Sequence, residues 1–129
     1  MPLTHRDPTE ITGYHAHIYY GPETRDDARA VRLGIDARFD CILGRWHDGP
    51  VGPHPQAMYQ VAFGVAVFPQ IVPWLMLNRR GLSVLVHPNT DNAVADHDIN
   101  PLWLGNKLDL DIDALRRFAA EHAKKLAAG

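Results

Sequence analysis

The order of hydrophobic patterns along the chain constrains its fold more than any other feature. Residues 14–20 alternate apolar and polar side chains, and this period of two predicts a strand. Apolar positions then follow helical spacing over residues 24–39. Applied to the whole chain, the same two patterns predict strands at residues 14–20, 42–47, 58–67 and 82–87. They predict helices at residues 24–39 and 69–80. The order strand-helix-strand-strand-helix-strand predicts a ferredoxin-like βαββαβ fold of the α+β class, with an antiparallel sheet and helices on one face.

The remaining segments complete a single predicted domain of 129 residues. Residues 1–10 are expected to be a flexible tail, residues 88–110 a long loop, and residues 111–127 an extra C-terminal helix. Right-handed crossovers are expected to place the first and third strands side by side and parallel. The helices should cover the face that carries Ile18, Val61 and Val65. The opposite, more polar face would stay uncovered, which predicts a homodimer.

Composition excludes several classes of function. The net charge of −2 and the 22% of charged residues offer no basic surface for nucleic acid. The longest apolar stretch is interrupted by prolines and is too short to span a membrane, so no membrane partner is expected. The single cysteine, Cys41, cannot form an internal disulfide, and the polar first ten residues do not resemble a secretory signal. We therefore expect a cytoplasmic protein.

Histidine is the chemically informative residue type, with eight copies in the chain. Imidazole is a common metal ligand and can exchange protons near neutral pH. His15 and His17 share one face of the first strand, and His87 at the end of the fourth strand has the same parity. The predicted topology brings these three to one edge of the sheet, together with His47, with His54 from a proline-rich loop, and with the mouth of the loop that bears His97.

Each of these residues also has a simpler interpretation. His15 and His17 are equally compatible with hydrogen-bonded surface histidines, and His54 with a solvated loop residue. His97 beside Asp96 fits either an imidazole oriented by a carboxylate or a polar loop pair. Arg45 could bind a substrate carboxylate through paired hydrogen bonds or form a surface ion pair. The three tryptophans, Trp46, Trp74 and Trp103, fit either an aromatic wall or core packing. For Trp74, core packing is favoured.

Several motifs in a fixed order resemble the DOPA 4,5-dioxygenase family of small fungal and bacterial proteins. They are YHAHIY at 14–19, GRWH at 44–47, PVGPHP at 50–55, PWLMLNR at 73–79, LVHP at 85–88, DH at 96–97 and LWLG at 102–105. The resemblance covers nearly the whole domain. It implies a small, often dimeric ferredoxin-like protein that opens a catechol ring with O₂ at a non-haem Fe(II) ion.

The resemblance also implies roles for particular residues. The expected metal ligands or proton-transfer groups are His15, His17, His54 and His87, with His97 and Arg45 in second rank. Two histidines and a carboxylate form the usual ligand set for such iron, but only the loop residues Asp91 and Asp96 offer an acid. A three-histidine site with a fourth histidine as acid-base is the working hypothesis.

Two other classes of function fit the same residues. One is a non-catalytic ferredoxin-like module that binds a metal or a small ligand. The other is a zinc-dependent hydrolase that uses His54 or His97 as its base. Zinc or another divalent metal would then occupy the histidine site.

Overall fold

The computed structural model describes the backbone of residues 4–128 and the side chains of residues 4–125. Residues 1–3 of the predicted tail lie outside this range, and residues Pro8–Glu10 form a short 3₁₀ turn capped by Asp7. The strands are β1 (Gly13–Tyr19), β2 (Ile42–Leu43), β3 (Met58–Phe63), β4 (Val84–Asn89) and β5 (Leu102–Leu104). The helices are α1 (Arg25–Arg38), α2 (Phe68–Asn78), α3 (Ala93–Asp98) and α4 (Ile112–Ala128).

The five strands form one antiparallel sheet in the order β2-β3-β1-β4-β5. The first four strands have the ferredoxin-like arrangement, so the predicted fold class is confirmed. The predicted parallel pairing of the first and third strands is wrong, because Tyr14 pairs with Phe63 and Tyr19 with Met58. A right-handed crossover makes the two strands that it joins, β1 and β2, parallel to each other. The strand between them, β3, runs antiparallel to both.

The main hydrophobic core lies between the helices and one face of the sheet, as predicted. Ala16, Ile18 and Val61 on that face are fully buried. The helices contribute buried residues at helical spacing, which are Ala28, Val31 and Ile35 of α1 and Ile71, Val72 and Leu75 of α2. Val65 is an exception: β3 ends at Phe63, and Val65 lies in a 3₁₀ turn with half of its surface exposed.

The second face of the sheet is covered by the segment that was predicted to be a loop. Residues 88–110 contain the end of β4, the helix α3 and the edge strand β5. Trp103, Leu108 and Leu110 pack against a smaller buried cluster formed by Tyr19, Met58 and Leu85. The prediction of an irregular loop and an uncovered face is therefore wrong. The homodimer that was inferred from the uncovered face stays a prediction, which sedimentation analysis can check.

The last helix, α4, begins at Ile112, one residue after the predicted start. Its first turns lie against α3, and most of its later side chains are exposed. Among the described residues, no helix combines the length and the apolar character needed to cross a lipid bilayer.

Candidate metal centre

Three histidines of the two central strands face the same side of the sheet. Alternation along β1 points His15 and His17 away from the main core. The register of the antiparallel pair β1–β4 places His87 directly opposite His15. His17 and His87 are almost fully buried, whereas His15 is partly exposed. The sequence prediction that these residues share one face is confirmed.

The geometry of these three side chains fits a metal ion. One ring nitrogen from each of His15, His17 and His87 lies within 4.8 Å of the other two. The Nε2 atoms of His17 and His87 are 3.2 Å apart. Two nitrogens that share one tetrahedral ion at about 2.0–2.1 Å would be separated by roughly 3.3 Å. Within the described residues, this group contains no carboxylate.

The proton on His87 is positioned by the backbone. Its Nδ1 atom donates a hydrogen bond of 3.0 Å to the carbonyl oxygen of Pro88. In neutral imidazole the other nitrogen then carries a lone pair, so Nε2 of His87 can accept either a proton or a cation. A second contact, of 3.5 Å, joins Nδ1 of His17 to the sulfur of Met58. Fixed rings with a free lone pair are the arrangement that metal-binding histidines need.

His54 reaches the cluster from the loop before β3. A bridge between Val51 and His54 closes this loop, and the amide of Asp111 donates to the carbonyl of Pro53. The ring of His54 lies 4.2 Å from that of His17, centre to centre. Its Nδ1 atom is 2.7 Å from the hydroxyl oxygen of Tyr19. His54 is therefore buried beside the three-histidine group, and its ring is hydrogen-bonded to the hydroxyl of Tyr19.

His97 completes the cluster from α3. Its ring centre lies 4.0 Å from that of His87, and its Nδ1 atom donates to the carbonyl of Ala93 at 2.7 Å. Of the two interpretations of this pair, the structure excludes the orientation of His97 by Asp96. Asp96 is buried and accepts bonds from the amide and the hydroxyl of Thr90, at 2.8 and 2.6 Å. Its carboxylate instead connects α3 to Thr90, the residue that follows β4.

Burial favours the neutral form of four of the clustered histidines, which are His15, His17, His54 and His87. Desolvation lowers the pKa of His54 to about 4 and that of His87 to about 3. The same cause lowers the pKa of His17 well below its ordinary value, and it lowers the pKa of His15 as well. Repulsion between neighbouring imidazolium charges adds to each shift. A cluster of neutral imidazoles offers lone pairs at physiological pH.

The location of the cluster differs from the prediction. Since β1 and β3 are antiparallel, the start of β3 meets the end of β1, where Tyr19 pairs with Met58. His54 therefore lies over the middle of the sheet face and not at a shared edge. His47 forms a bridge with Met58, and no ring contact among the described residues joins it to the other five histidines.

The other candidate residues, which are Arg45, the three tryptophans and Asp91, lie on both sides of the sheet. Arg45 is exposed and has no ion pair with any described residue. Trp46 and Trp74 pack against the main core. Trp103 stacks on Tyr19 with ring centres 6.0 Å apart, so it is the tryptophan that borders the cluster. Asp91, the other acid that was considered as a ligand, is exposed.

Sequence reasoning overlooked two neighbours of the histidines, Tyr19 and Met58. Tyr19 has the same strand parity as His15 and His17, so the alternation contained the signal for it. Met58 directly faces Tyr19 in the register of β1 and β3. Only the antiparallel pairing reveals that contact.

Fold and site together define a ferredoxin-like domain with a buried histidine cluster that is able to hold a metal ion. The chain belongs to the Dopa 4,5-dioxygenase family, whose sequence model matches residues 14–114. Family membership identifies a dioxygenase-type protein, in agreement with the resemblance of its motifs.

Named relatives support this assignment. The DOPA 4,5-dioxygenase of Amanita muscaria is 32% identical over 113 residues, covering 81% of this chain and 50% of that enzyme. An uncharacterised 21.2 kDa protein of Botryotinia fuckeliana is 33% identical over 122 residues, covering 85% of this chain and 67% of that protein. The chain thus spans about half the length of the Amanita enzyme.

A solved structure resembles this chain over most of its length. It is the crystal structure of a provisionally named dioxygenase from Nostoc punctiforme, which is 54% identical in sequence. The match covers 88% of this chain and 99% of that chain, with a TM-score of 0.88.

Proposed function

We propose that this protein is an extradiol dioxygenase, which opens a catechol ring with O₂ at a histidine-bound Fe(II) ion. The observation that carries the proposal is the convergence of His15, His17 and His87 in a chain of this family. Two further imidazoles, from His54 and His97, lie against the same group. Metal binding and proton transfer are the two tasks that such chemistry requires.

His15, His17 and His87 would hold the metal. Fe(II) in such a site supplies coordination positions for both catechol oxygens and for O₂. The hydrogen bond from Nδ1 of His87 to the carbonyl oxygen of Pro88 keeps the Nε2 lone pair directed at the centre of the cluster. The protein contributes three neutral donors that need no deprotonation before the metal binds.

His54 and His97 are the proposed proton-transfer residues. Burial raises the pKa of Tyr19, so the phenol keeps its proton and can donate it to Nδ1 of His54. A neutral His54 then carries its own proton on Nε2. His97 has the complementary arrangement, because its Nδ1 atom donates to Ala93 and its Nε2 lone pair is free to accept. The Nε2–H of His54 can therefore donate a hydrogen bond to a substrate, whereas the Nε2 lone pair of His97 can take a proton from it.

The substrate would approach beside His97. A cavity of about 170 Å³ there has a lining that is partly apolar and partly polar, formed by Trp103, Leu108, Leu110 and Ile112 and by His97, Asp98, Lys107 and Asp109. The aromatic and aliphatic part of this lining suits a flat ring, and the polar part suits the hydroxyl groups of a catechol. Trp103 is the candidate wall against which a catechol would lie.

The test is anaerobic reconstitution with Fe(II), followed by O₂ and a panel of catechols. We expect bound iron near one equivalent and a yellow ring-opened product from at least one catechol. Protein loaded with Zn²⁺, which has no redox chemistry, is the matched control and should be inactive. His54→Gln should keep its iron but lose turnover by about 10²–10⁴-fold.

Iron-replete protein that is inert across the panel would contradict the enzymatic proposal. The same result with tight metal binding would identify a non-catalytic metal-binding module. Activity with zinc but not with iron would favour hydrolysis.

A further inference from the structure

A second polar site lies on the helix-covered side of the sheet, away from the histidines. A cavity of about 310 Å³ opens between α1 and the segment after β2. We call it the arginine pocket; it is lined by Arg25, Arg29, Arg32, Asp36 and Trp46 together with the apolar side chains of Leu33 and Leu43. The three arginines follow a spacing of four and three residues, which places them on one face of α1.

Aromatic rings hold two of these arginines in position. The guanidinium carbon of Arg25 lies 4.2 Å from the ring centre of Trp46. That of Arg32 lies 5.4 Å from Trp46 and 4.9 Å from Tyr59. One nitrogen of Arg32, Nη1, is buried without a hydrogen-bond acceptor in the described part of the chain. Guanidinium groups fixed against aromatic faces lose less freedom when they bind a ligand.

The charges in the pocket do not balance. Arg25 donates to Asp48 at 3.0 Å, and Asp36 is the one acid among the described residues that line the pocket. Arg29 and Arg32 have no ion pair with a described residue. Three guanidinium charges thus face two carboxylates, in a chain whose net charge is −2. Such a local excess of positive charge in a concave site attracts an anion.

We propose that the arginine pocket binds a small oxyanion, the phosphate or carboxylate group of a small molecule. Planar guanidinium groups form paired hydrogen bonds with both types of group. The pocket is independent of the histidine cluster, since α1 and Trp46 pack against the main core and the histidines lie on the opposite face. A ligand there would be a second, non-catalytic occupant of the molecule.

Calorimetric titration of the whole protein with inorganic phosphate and, separately, with acetate tests this proposal. We expect one of the two anions to bind with a dissociation constant below about 1 mM at low salt. Phosphate alone would identify a phosphorylated ligand, and acetate alone an organic acid. Arg29→Gln should weaken binding by about tenfold. Arg29 is exposed, so its loss leaves the fold intact.

Arg38→Gln is the matched control, because Arg38 is also on α1 but lies over Trp74, outside the pocket. It should change the affinity by less than about twofold. The proposal is overturned if neither anion binds with a dissociation constant below about 1 mM, or if Arg38→Gln weakens binding as much as Arg29→Gln. Metal binding by the histidines should be unchanged in both variants, so this test is separate from that of the enzymatic proposal.

Discussion

The histidines of the metal centre are unusual because they are buried as neutral groups. In the unfolded chain each has an ordinary pKa of about 6.5. The folded state instead lowers the pKa of His54 to about 4 and that of His87 to about 3. Between these values and pH 6.5, the unfolded chain binds protons that the folded chain does not, so acid favours unfolding.

This difference predicts that the metal-free protein loses stability as the pH falls below about 6.5. Each buried histidine should contribute a loss of about 1.4 kcal/mol per pH unit until its folded pKa is reached. Above pH 6.5 both states are neutral and the histidines have no effect. Urea unfolding of the chelated protein at pH 5, 6 and 7 measures the slope. Equal stability at pH 5 and pH 7 would contradict the buried, neutral cluster.

His15 allows one metal ligand to be removed without opening the core, since it is only partly buried. We expect His15→Ala to weaken metal binding by at least about 100-fold, because outer contacts alone cost about 10–100-fold. Competition with a metal chelator gives the affinities. His122→Ala, which removes an exposed imidazole of α4, is the control and should bind metal normally. Equal affinities for the two variants would remove His15 from the site.

We propose that Tyr19 positions the ring of His54 through the 2.7 Å contact between the Tyr19 hydroxyl and Nδ1 of His54. Tyr19→Phe should lower kcat by about tenfold or more with little change in KM. Nitrogen NMR of His54 should show a changed proton distribution between its two ring nitrogens. Tyr14→Phe is the control, because Tyr14 packs on Phe63 and Phe68 at the helix-covered face. An unchanged His54 spectrum in Tyr19→Phe would contradict this role.

At the level of elements, the carboxylate of Asp96 ties α3 to the residue that follows β4, Thr90. Asp96 is buried and accepts two bonds from Thr90. Asp96→Ala leaves the amide N–H and the hydroxyl hydrogen of Thr90 without acceptors, which costs about 1–3 kcal/mol. It should also displace His97 from His87 and reduce turnover.

The control for this change is Asp98→Ala on the same helix, where the carboxylate is exposed. Its free energy of unfolding should stay within about 0.5 kcal/mol of the parent. Thermal and urea unfolding compare the two variants. A parent-like stability of Asp96→Ala would show that the contacts with Thr90 do not hold α3.

The elements that sequence predicted correctly are those with a strong period. Strand β1 alternates apolar side chains with histidines, and helix α1 buries one face at helical spacing, so both periods are visible in the sequence. The third strand was predicted four residues too long, because Val65 and Val67 continue its alternation although the chain turns after Phe63. Helix α3 and strand β5 have six and three residues, too few for a period to emerge. Their polar neighbours made the segment resemble a loop.

At the scale of the whole molecule, the site exists only once distant segments meet. The parity of His15, His17 and His87 predicted their common face correctly. The approach of His54 and His97 depends on how residues 50–55 and 93–98 fold over that face, which local patterns do not specify. The wrong strand direction placed the predicted cluster at a sheet edge and included His47, whereas the structure assembles His15, His17, His54, His87 and His97 over the sheet face.

The central claim is that His15, His17 and His87 share one metal ion. Anomalous diffraction from crystals of the iron-loaded protein tests this most directly. We predict one strong iron peak at about 2.0–2.2 Å from a ring nitrogen of each of these residues. A peak elsewhere, or iron-replete crystals with no peak between these three rings, would contradict the account.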